Sequence, residues 1–463
     1  MTGVLLDDDA VAHESVDLLA HLIRNECVND GTVESGHESR SVDVLSQYLG
    51  DTGLDLERYS ATPGRENLVA RIEGSDPSAP TLLLMGHTDV VPVTPDSWRR
   101  DPFSGDVVDG EVWGRGAVDM LNLTATMAVA FRSLARSGFR PRGTLAYLAV
   151  ADEENLGTWG AEHLLDHERD AVMADYVVTE AGGFQMPTAR GPRLPVIVGE
   201  KGSYWCRITV RGTPGHASQP FRTDNALVTA AEIVKRLAEF RPPTRIHDTW
   251  RRFVEGVDFG TAWNERLLDE ATLTEFCEEL PIGLARQAHA CTHTTFAPTI
   301  IHGGTKTNVI PDRVDVEVDI RTLPGQRSPD IAAMLADALG DLSACVEITP
   351  FDENESTSSP TDTPLWDAMG RVSSRLVEGS ALVPFLTVGA TDARFFRRAG
   401  SVAYGFGLFS RKLSFDDYAS MFHGNDERVD TDSLVLSTRL WEGLAHDLLS
   451  STPRYESSGW SRR

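Results

Sequence analysis

Thr81-Leu-Leu-Leu-Met-Gly-His87-Thr-Asp89 is a short apolar run that ends on a histidine and an aspartate. Two further runs end in the same manner. Thr144-Leu-Ala-Tyr-Leu-Ala-Val150 leads into Asp152-Glu153-Glu154, and Ala174-Asp-Tyr-Val-Val178 leads through Thr179 into Glu180. Short apolar runs of this length read as strands covered on both faces. One strand stopping at a metal-ligand residue type says little. Three in one chain point to a sheet whose carboxyl-terminal edge collects such residues, and open α/β sheets place their ligands at that edge.

Around these runs the chain alternates. Val16, Leu18, Leu19, Leu22 and Ile23 suit one helix, and Val42, Val44, Leu45, Tyr48 and Leu49 another. Leu121–Leu134, Thr158–Leu165 and Thr431–Leu449 also read as helices, and Val402–Leu408 as a strand. Strand–helix alternation argues for an α/β fold with a mainly parallel, covered sheet. The pattern changes near residue 200. Tyr204–Val210 reads as a strand, Asn225–Phe240 as a helix, and Val314-Asp-Val-Glu-Val-Asp-Ile320 alternates strictly, as a strand with one wet face does. The expected organisation is a larger α/β domain made of 1–199 and 324–463, with a smaller α+β domain, 200–323, inserted. Arg241–Thr294 carries Trp250, Phe253, Phe259 and Trp263 among charges; core packing is the expected role for most of them, with part of the segment facing substrate. The last fourteen residues are polar and aperiodic and are expected to fray.

Bulk properties bound the function. The 463 residues allow two domains or more. A net charge of −26 makes nucleic acid and anionic membranes poor partners. No run of eighteen apolar residues is present, so no membrane span is expected. The start, Met1-Thr-Gly-Val-Leu-Leu-Asp-Asp-Asp9, lacks the basic segment and long apolar core of a signal peptide, and the expected location is cytoplasmic. Cys27, Cys206, Cys277, Cys291 and Cys345 are odd in number and widely spaced, which argues against a disulfide framework or a thiolate metal site and for buried reduced thiols.

The strand-end residues suit a metal centre. His87 and Asp89 are two apart and share a strand face, so His87 can ligate while Asp89 accepts its second ring N–H. A surface pair explains His-x-Asp alone equally well. Gly114-Arg-Gly-Ala-Val-Asp119-Met120 offers a carboxylate ahead of a helix, where capping is the plain alternative to bridging two metals. Glu153 and Glu154 are adjacent, so one can ligate while the other takes a proton from water. Glu180 and His423, in Phe422-His-Gly-Asn-Asp-Glu427, complete an N/O donor set that suits zinc, with manganese or cobalt possible.

At these residues the chain resembles the co-catalytic dizinc amidase and exopeptidase family of aminoacylase, succinyl-diaminopimelate desuccinylase, acetylornithine deacetylase and glutamate carboxypeptidase. The matching pieces are Gly86–Pro92, Gly114–Met120, Asp152–Glu154, Gly212-Thr-Pro-Gly-His-Ala217, Thr307-Asn-Val-Ile-Pro311 and His423, in the family's order. The resemblance implies a zinc-binding α/β domain with an inserted lid or dimerisation domain, two zinc ions per chain, and a homodimer formed through the insert. It implies that His87, Asp119 and Glu180 hold one ion and Asp119, Glu154 and His423 the other. Glu153 is implied as general base, Asp89 as orienter of His87, and His216 as a histidine that reaches the partner subunit's site and steadies an oxyanion. Asn308, Arg321 and Arg394 match or neighbour substrate-contacting positions.

Leu121-Asn122 stands where many members carry Lys-Gly, at positions not expected to ligate. Glu180, where other members have Asp, leans toward amidases. The implied activity is cleavage of an amide bond in a small carboxylate-bearing substrate, an N-acyl amino acid or short peptide. The alternatives are a dipeptidase or carboxypeptidase, a dizinc phosphoesterase, and a non-catalytic metal-binding scaffold. The last would have lost the base or a ligand, and none is lost here.

Overall fold

The three apolar runs lie at the centre of one sheet. In the computed structural model, which describes residues 5–450, Leu145–Val150, Leu82–His87, Tyr176–Thr179 and Val402–Gly405 lie side by side and parallel. Antiparallel strands flank them: Leu56–Thr62 and Arg65–Ile72 on one side, Arg193–Glu200 on the other. The fold is α/β, as expected. The polar tail expected to fray lies outside the described residues.

Period-two alternation explains the double burial of these strands. Leu82, Leu84, Leu145, Tyr147 and Ala149 enter a core under the helices Asp8–Arg24, Leu121–Ser137 and Thr431–Leu449. Leu83, Met85, Ala146, Leu148 and Val150 enter a second core against His163–His167 and Ala393–Ala399. Burying one such aliphatic side chain stabilises by about 1.5–3 kcal/mol, so both faces fix the register that brings the strand ends level. Gly86 is needed for close approach: any side chain there would overlap Thr124 of the Leu121–Ser137 helix, whose hydroxyl donates to the His87 carbonyl at 2.7 Å. The segment Thr158–Leu165 is less regular than its pattern promised. Thr158–Glu162 is a widened turn broken at Gly160, which packs on the Ala151 carbonyl, before helix His163–His167.

The chain divides into two compact units. Among the described residues, the first holds 5–198, Ser359–Pro384 and 391–450; the second holds Gly199–Ser358 and Phe385–Ala390. The sequence reading closes the insert at 323, and the structure carries it to Ser358. Helix Ser328–Leu339 and strand Val346–Asn354 look like resumed α/β alternation. Val346–Asn354 instead pairs antiparallel with Gly202–Arg211, and Ile331, Leu335 and Leu339 enter the insert's core. Pairing direction is not written in a local pattern, so the boundary was misplaced.

The second unit is a four-stranded antiparallel sheet in the order Thr295–Gly303, Arg313–Thr322, Gly202–Arg211, Val346–Asn354. Val314, Val316, Val318 and Ile320 face the helices Ala226–Glu239 and Ser328–Leu339. The acids between them take the other face, where Asp315 accepts from Thr209 and Glu317 pairs with Arg207. Arg241–Thr294 folds mainly into four helices, and Trp250 and Phe253 are buried as expected, while Trp263 stays 38 % exposed. All five cysteines are free, but Cys345 is exposed and Cys277 half-buried, so the reading of buried thiols holds for Cys27, Cys206 and Cys291. Among the described residues no helix is long and apolar enough to cross a membrane.

A buried basic cluster at the end of helix Ile282–Thr292 makes this unit acid-sensitive. Lys201 Nζ donates to the Ala290 and His293 carbonyls at 2.8 and 2.7 Å, and burial pushes its ammonium down to about 7. His293 Nδ1 donates to the His289 carbonyl at 3.0 Å, and its Nε2 accepts from Thr244 and Thr274. Burial, and then the neighbouring His289, lower the His293 pKa to about 4; burial lowers His289 and His247 as well. The unfolded chain protonates these rings near 6.5 and the folded chain only at lower pH. Between those values the unfolded state binds more protons, so stability falls as pH falls. The thermal midpoint should drop from pH 7 to pH 4.5, and His293→Gln should flatten that slope; an unaltered slope in the variant refutes the assignment.

Candidate active site

His87 closes its strand and is 1 % exposed. Its Nδ1 lies 2.9 Å from the Asp89 main-chain carbonyl, which can only accept, so Nδ1 carries a proton and Nε2 is the atom free to ligate. Nε2 faces Asp119 Oδ1 at 3.3 Å, Glu180 Oε2 at 3.7 Å and Glu153 Oε2 at 4.0 Å. The partner of Nδ1 differs from the expected one. The Asp89 carboxylate is 3.6 Å away, beyond a good hydrogen bond. It accepts instead from the Glu153 and Glu154 amides at 3.2 and 3.1 Å and from Asn29 Nδ2 at 2.8 Å.

Asp119 sits in a loop pinned by an acid the sequence reading missed. Glu427, fully buried, accepts from the amides of Gly116, Val118 and Asp119 at 2.7, 3.3 and 3.1 Å, and from Arg115 Nη1 at 3.1 Å. It lies in the same Phe422–Glu427 segment as His423, but an acid in a polar loop carries no mark of burial. Asp119 then splits its oxygens: Oδ1 faces His87, and Oδ2 lies 3.1 Å from His423 Nε2. His423 also reaches Glu154 Oε2 at 3.1 Å, while Glu154 Oε1 is buried without a partner. Glu153 and Glu154 occupy a short turn after Asp152, whose φ of +67° swings the chain so that the two acids diverge. Two sets, His87–Asp119–Glu154 and His87–Glu153–Glu180, each place three donor atoms close enough for one cation.

The electrostatics fit cations. Burial, and then the charge of Glu180, push the Glu153 carboxyl well above the usual range, and burial with Asp119 pushes Glu154 up to about 7. Burial raises Glu180 too. Hydrogen bonds to Asp119 and Glu154 raise His423 to about 10. Burial also raises Asp119, but His423 and His87 outweigh it and hold its carboxyl below the usual range. Four largely buried acids against two imidazoles, buried His87 and half-exposed His423, leave negative charge that a divalent ion relieves. The donors are nitrogen and oxygen only, as zinc, manganese and cobalt accept.

The remaining expected residues are placed elsewhere. His216, exposed in the second unit, has Nδ1 accepting from the Ser218 amide at 3.2 Å and lying 2.7 Å from its hydroxyl; in the neutral ring the proton is therefore on Nε2. Asn308 is adjacent, its carbonyl accepting from Ala217 N at 3.1 Å. Arg321, also in the second unit, is held by Asp319 through Nε and Nη2 at 2.7 and 3.0 Å. Arg394, in the first unit, is 5 % exposed and spends its guanidinium on the Thr391 and Leu156 carbonyls at 2.8 and 2.7 Å. Nearby Asp392, which the sequence reading passed over, is 1 % exposed with both oxygens unpartnered, and burial pushes it up to about 8.

Comparison with known proteins agrees with this geometry. The family model described as Peptidase family M20/M25/M40 matches residues 83–447. The chain is 27 % identical to the N-fatty-acyl-amino acid synthase/hydrolase PM20D1 of Xenopus tropicalis, over 80 % of this chain and 73 % of that protein. It is 26 % identical to aminoacylase-1 of Mus musculus, over 96 % of this chain and 97 % of that one. Among solved structures, an M20 family metallo-carboxypeptidase from Sulfolobus solfataricus gives a TM-score of 0.71 at 18 % identity, covering 94 % of this chain and 99 % of the other, a likeness of fold.

Proposed function

The chain belongs to peptidase family M20/M25/M40 and is a metal-dependent amidohydrolase or metallopeptidase, and on that premise we propose that it hydrolyses the amide bond of small N-acyl amino acids at a dizinc site. The observation that carries the two-ion reading is the division of Asp119, one oxygen toward His87 and the other toward His423. His87 and Glu180 would hold one ion, Glu154 and His423 the other, with Asp119 between them. Two bound divalent ions supply Lewis acidity that polarises an amide carbonyl and makes water a stronger acid.

The protein's own groups then move protons and hold charge. Glu153, at the margin of the ligand cluster, takes a proton from the attacking water and later delivers it to the leaving nitrogen. His216 offers an exposed Nε2–H, the donor that a developing oxyanion calls for. Asn308 beside it and Arg321 are the proposed contacts to the substrate carboxylate.

His216 would act across a homodimer. In support, strand Thr295–Gly303 is an edge strand, and it carries Ile300 and Ile301 at 45 % and 50 % exposure. Leu227 and Val228, on the helix packed against that sheet, are 47 % and 66 % exposed.

Whole-length similarity to aminoacylase-1 favours deacylation over dipeptide cleavage. A panel of N-acetyl, N-succinyl and longer N-acyl amino acids and dipeptides, tested on zinc-loaded protein, decides the matter. Turnover of N-acyl amino acids above dipeptides is expected, and the reverse order overturns the assignment in favour of a dipeptidase.

A further inference from the structure

Behind the acid pair lies a buried network that includes none of the proposed metal ligands. Arg65, fully buried at the start of strand Arg65–Ile72, donates from Nη1 to Glu38 Oε1 at 2.6 Å and lies 3.5 Å from Asp152 Oδ1. Its Nη2 donates to Asn29 Oδ1 at 3.3 Å and to the Thr32 carbonyl at 2.9 Å. Asn29, 3 % exposed, spends both amide hydrogens on carboxylates: Nδ2 is 2.8 Å from Asp89 Oδ2 and 3.0 Å from Asp152 Oδ1. Its main-chain N–H is fixed to the Val90 carbonyl at 2.9 Å.

Asp89 and Asp152 are the two acids that shape the Glu153–Glu154 turn. Asp89 receives both turn amides, and Asp152 receives Trp159 N at 3.0 Å on Oδ2 and Gly157 N at 2.7 Å on its carbonyl. Left alone, two carboxylates in a dry interior repel and part. A neutral amide with two N–H groups bonds one oxygen of each without adding charge, and Arg65 orients that amide by holding its oxygen.

We propose that Asn29, oriented by Arg65, is a positioning residue that clamps Asp89 to Asp152 and so sets where Glu153 stands relative to His87. It acts through the turn and touches no reacting atom. The proposal rests on the role given to Glu153 above. No chemistry demands the pair at these positions in the sequence; Arg65 ahead of the apolar Leu68-Val69-Ala70 run is the only trace of it.

Removing the buried Arg65 charge endangers folding, so the test falls on Asn29. In Asn29→Ala, kcat should fall about 10- to 100-fold, the range for lost support of metal-site groups, with KM unchanged. Amide hydrogen exchange of the metal-loaded protein should quicken across residues 153–159 and stay unaltered in helix Leu121–Ser137. Asn29→Asp, nearly identical in shape, should be worse than Asn29→Ala, because it sets a third carboxylate against two. Unchanged exchange at 153–159, loosening of helix Leu121–Ser137 to the same degree, or Asn29→Asp matching wild type each overturns the proposal. If the wild-type protein hydrolyses no member of the substrate panel, the function proposed above fails, and the exchange pattern still decides the clamp.

Discussion

Glu153→Gln should retain two cations per chain and lose about a hundred- to ten-thousandfold in kcat, the usual contribution of a positioned acid/base. Two roles compete for this residue. Its Oε2 lies within ligand reach of His87 and Glu180, so it could hold an ion; it also stands farther from His87 Nε2, at 4.0 Å, than Asp119 at 3.3 Å and Glu180 at 3.7 Å. Burial and the Glu180 charge raise its carboxyl well above the usual range, which makes it a stronger proton acceptor than a free glutamate. A ligand lost to the amide would show as a missing ion, and a base lost to it would show as full metal content without turnover. Metal analysis and steady-state kinetics on one preparation separate these outcomes. Activity within tenfold of wild type would remove Glu153 as the base.

The same variant tests the shared site. Mixed with His216→Ala chains, it should regain activity, because a mixed dimer has one site with Glu153 from one chain and His216 from the other. Random assortment in a two-fold dimer makes about a quarter of all sites competent. Activity no higher than that of the two parents would mean that His216 does not serve a neighbouring chain.

What the sequence disclosed and what it hid follow from the range of the interactions. The strands ending at His87, Glu153 and Glu180 were legible because a run buried on both faces must be apolar throughout, and its polar stop is conspicuous. The wet-faced strand through Val314 and Ile320 was legible by its period of two. The end of the insert was not, because Val346–Asn354 is assigned by its antiparallel pairing with a strand some 140 positions earlier in the chain. Spacing puts Asp89 beside His87, but it is the fold that has the ring held by the Asp89 carbonyl and the carboxylate holding the next loop. Arg394, a candidate substrate contact in the sequence, has its guanidinium on two main-chain carbonyls, partners that no local pattern announces. Asn29, Arg65 and Glu427 escaped because a buried polar residue is defined by partners as remote as the 60 positions from Asn29 to Asp89, the 27 from Arg65 to Glu38 and the 312 from Glu427 to Arg115.

Asp119 offers the sharpest test of the paired ions, because an amide has one ligand oxygen where a carboxylate has two. Each Asp119 oxygen faces a different histidine. Asp119→Asn should therefore hold one cation per chain, on whichever side the amide oxygen turns, while its NH2 group faces the other side and repels an ion there. Asp119→Ala should bind neither ion tightly. Turnover should be lost in both, and calorimetric titration with zinc should count two, one and none for wild type, Asn and Ala. Thermal stabilisation should follow the count, since a ligand that binds only the folded state at a hundred times its Kd adds about 2.7 kcal/mol. Two ions retained in Asp119→Asn would mean that the carboxylate does not bridge, and the pair would then have to be held apart by His87 with Glu180 and by His423 with Glu154.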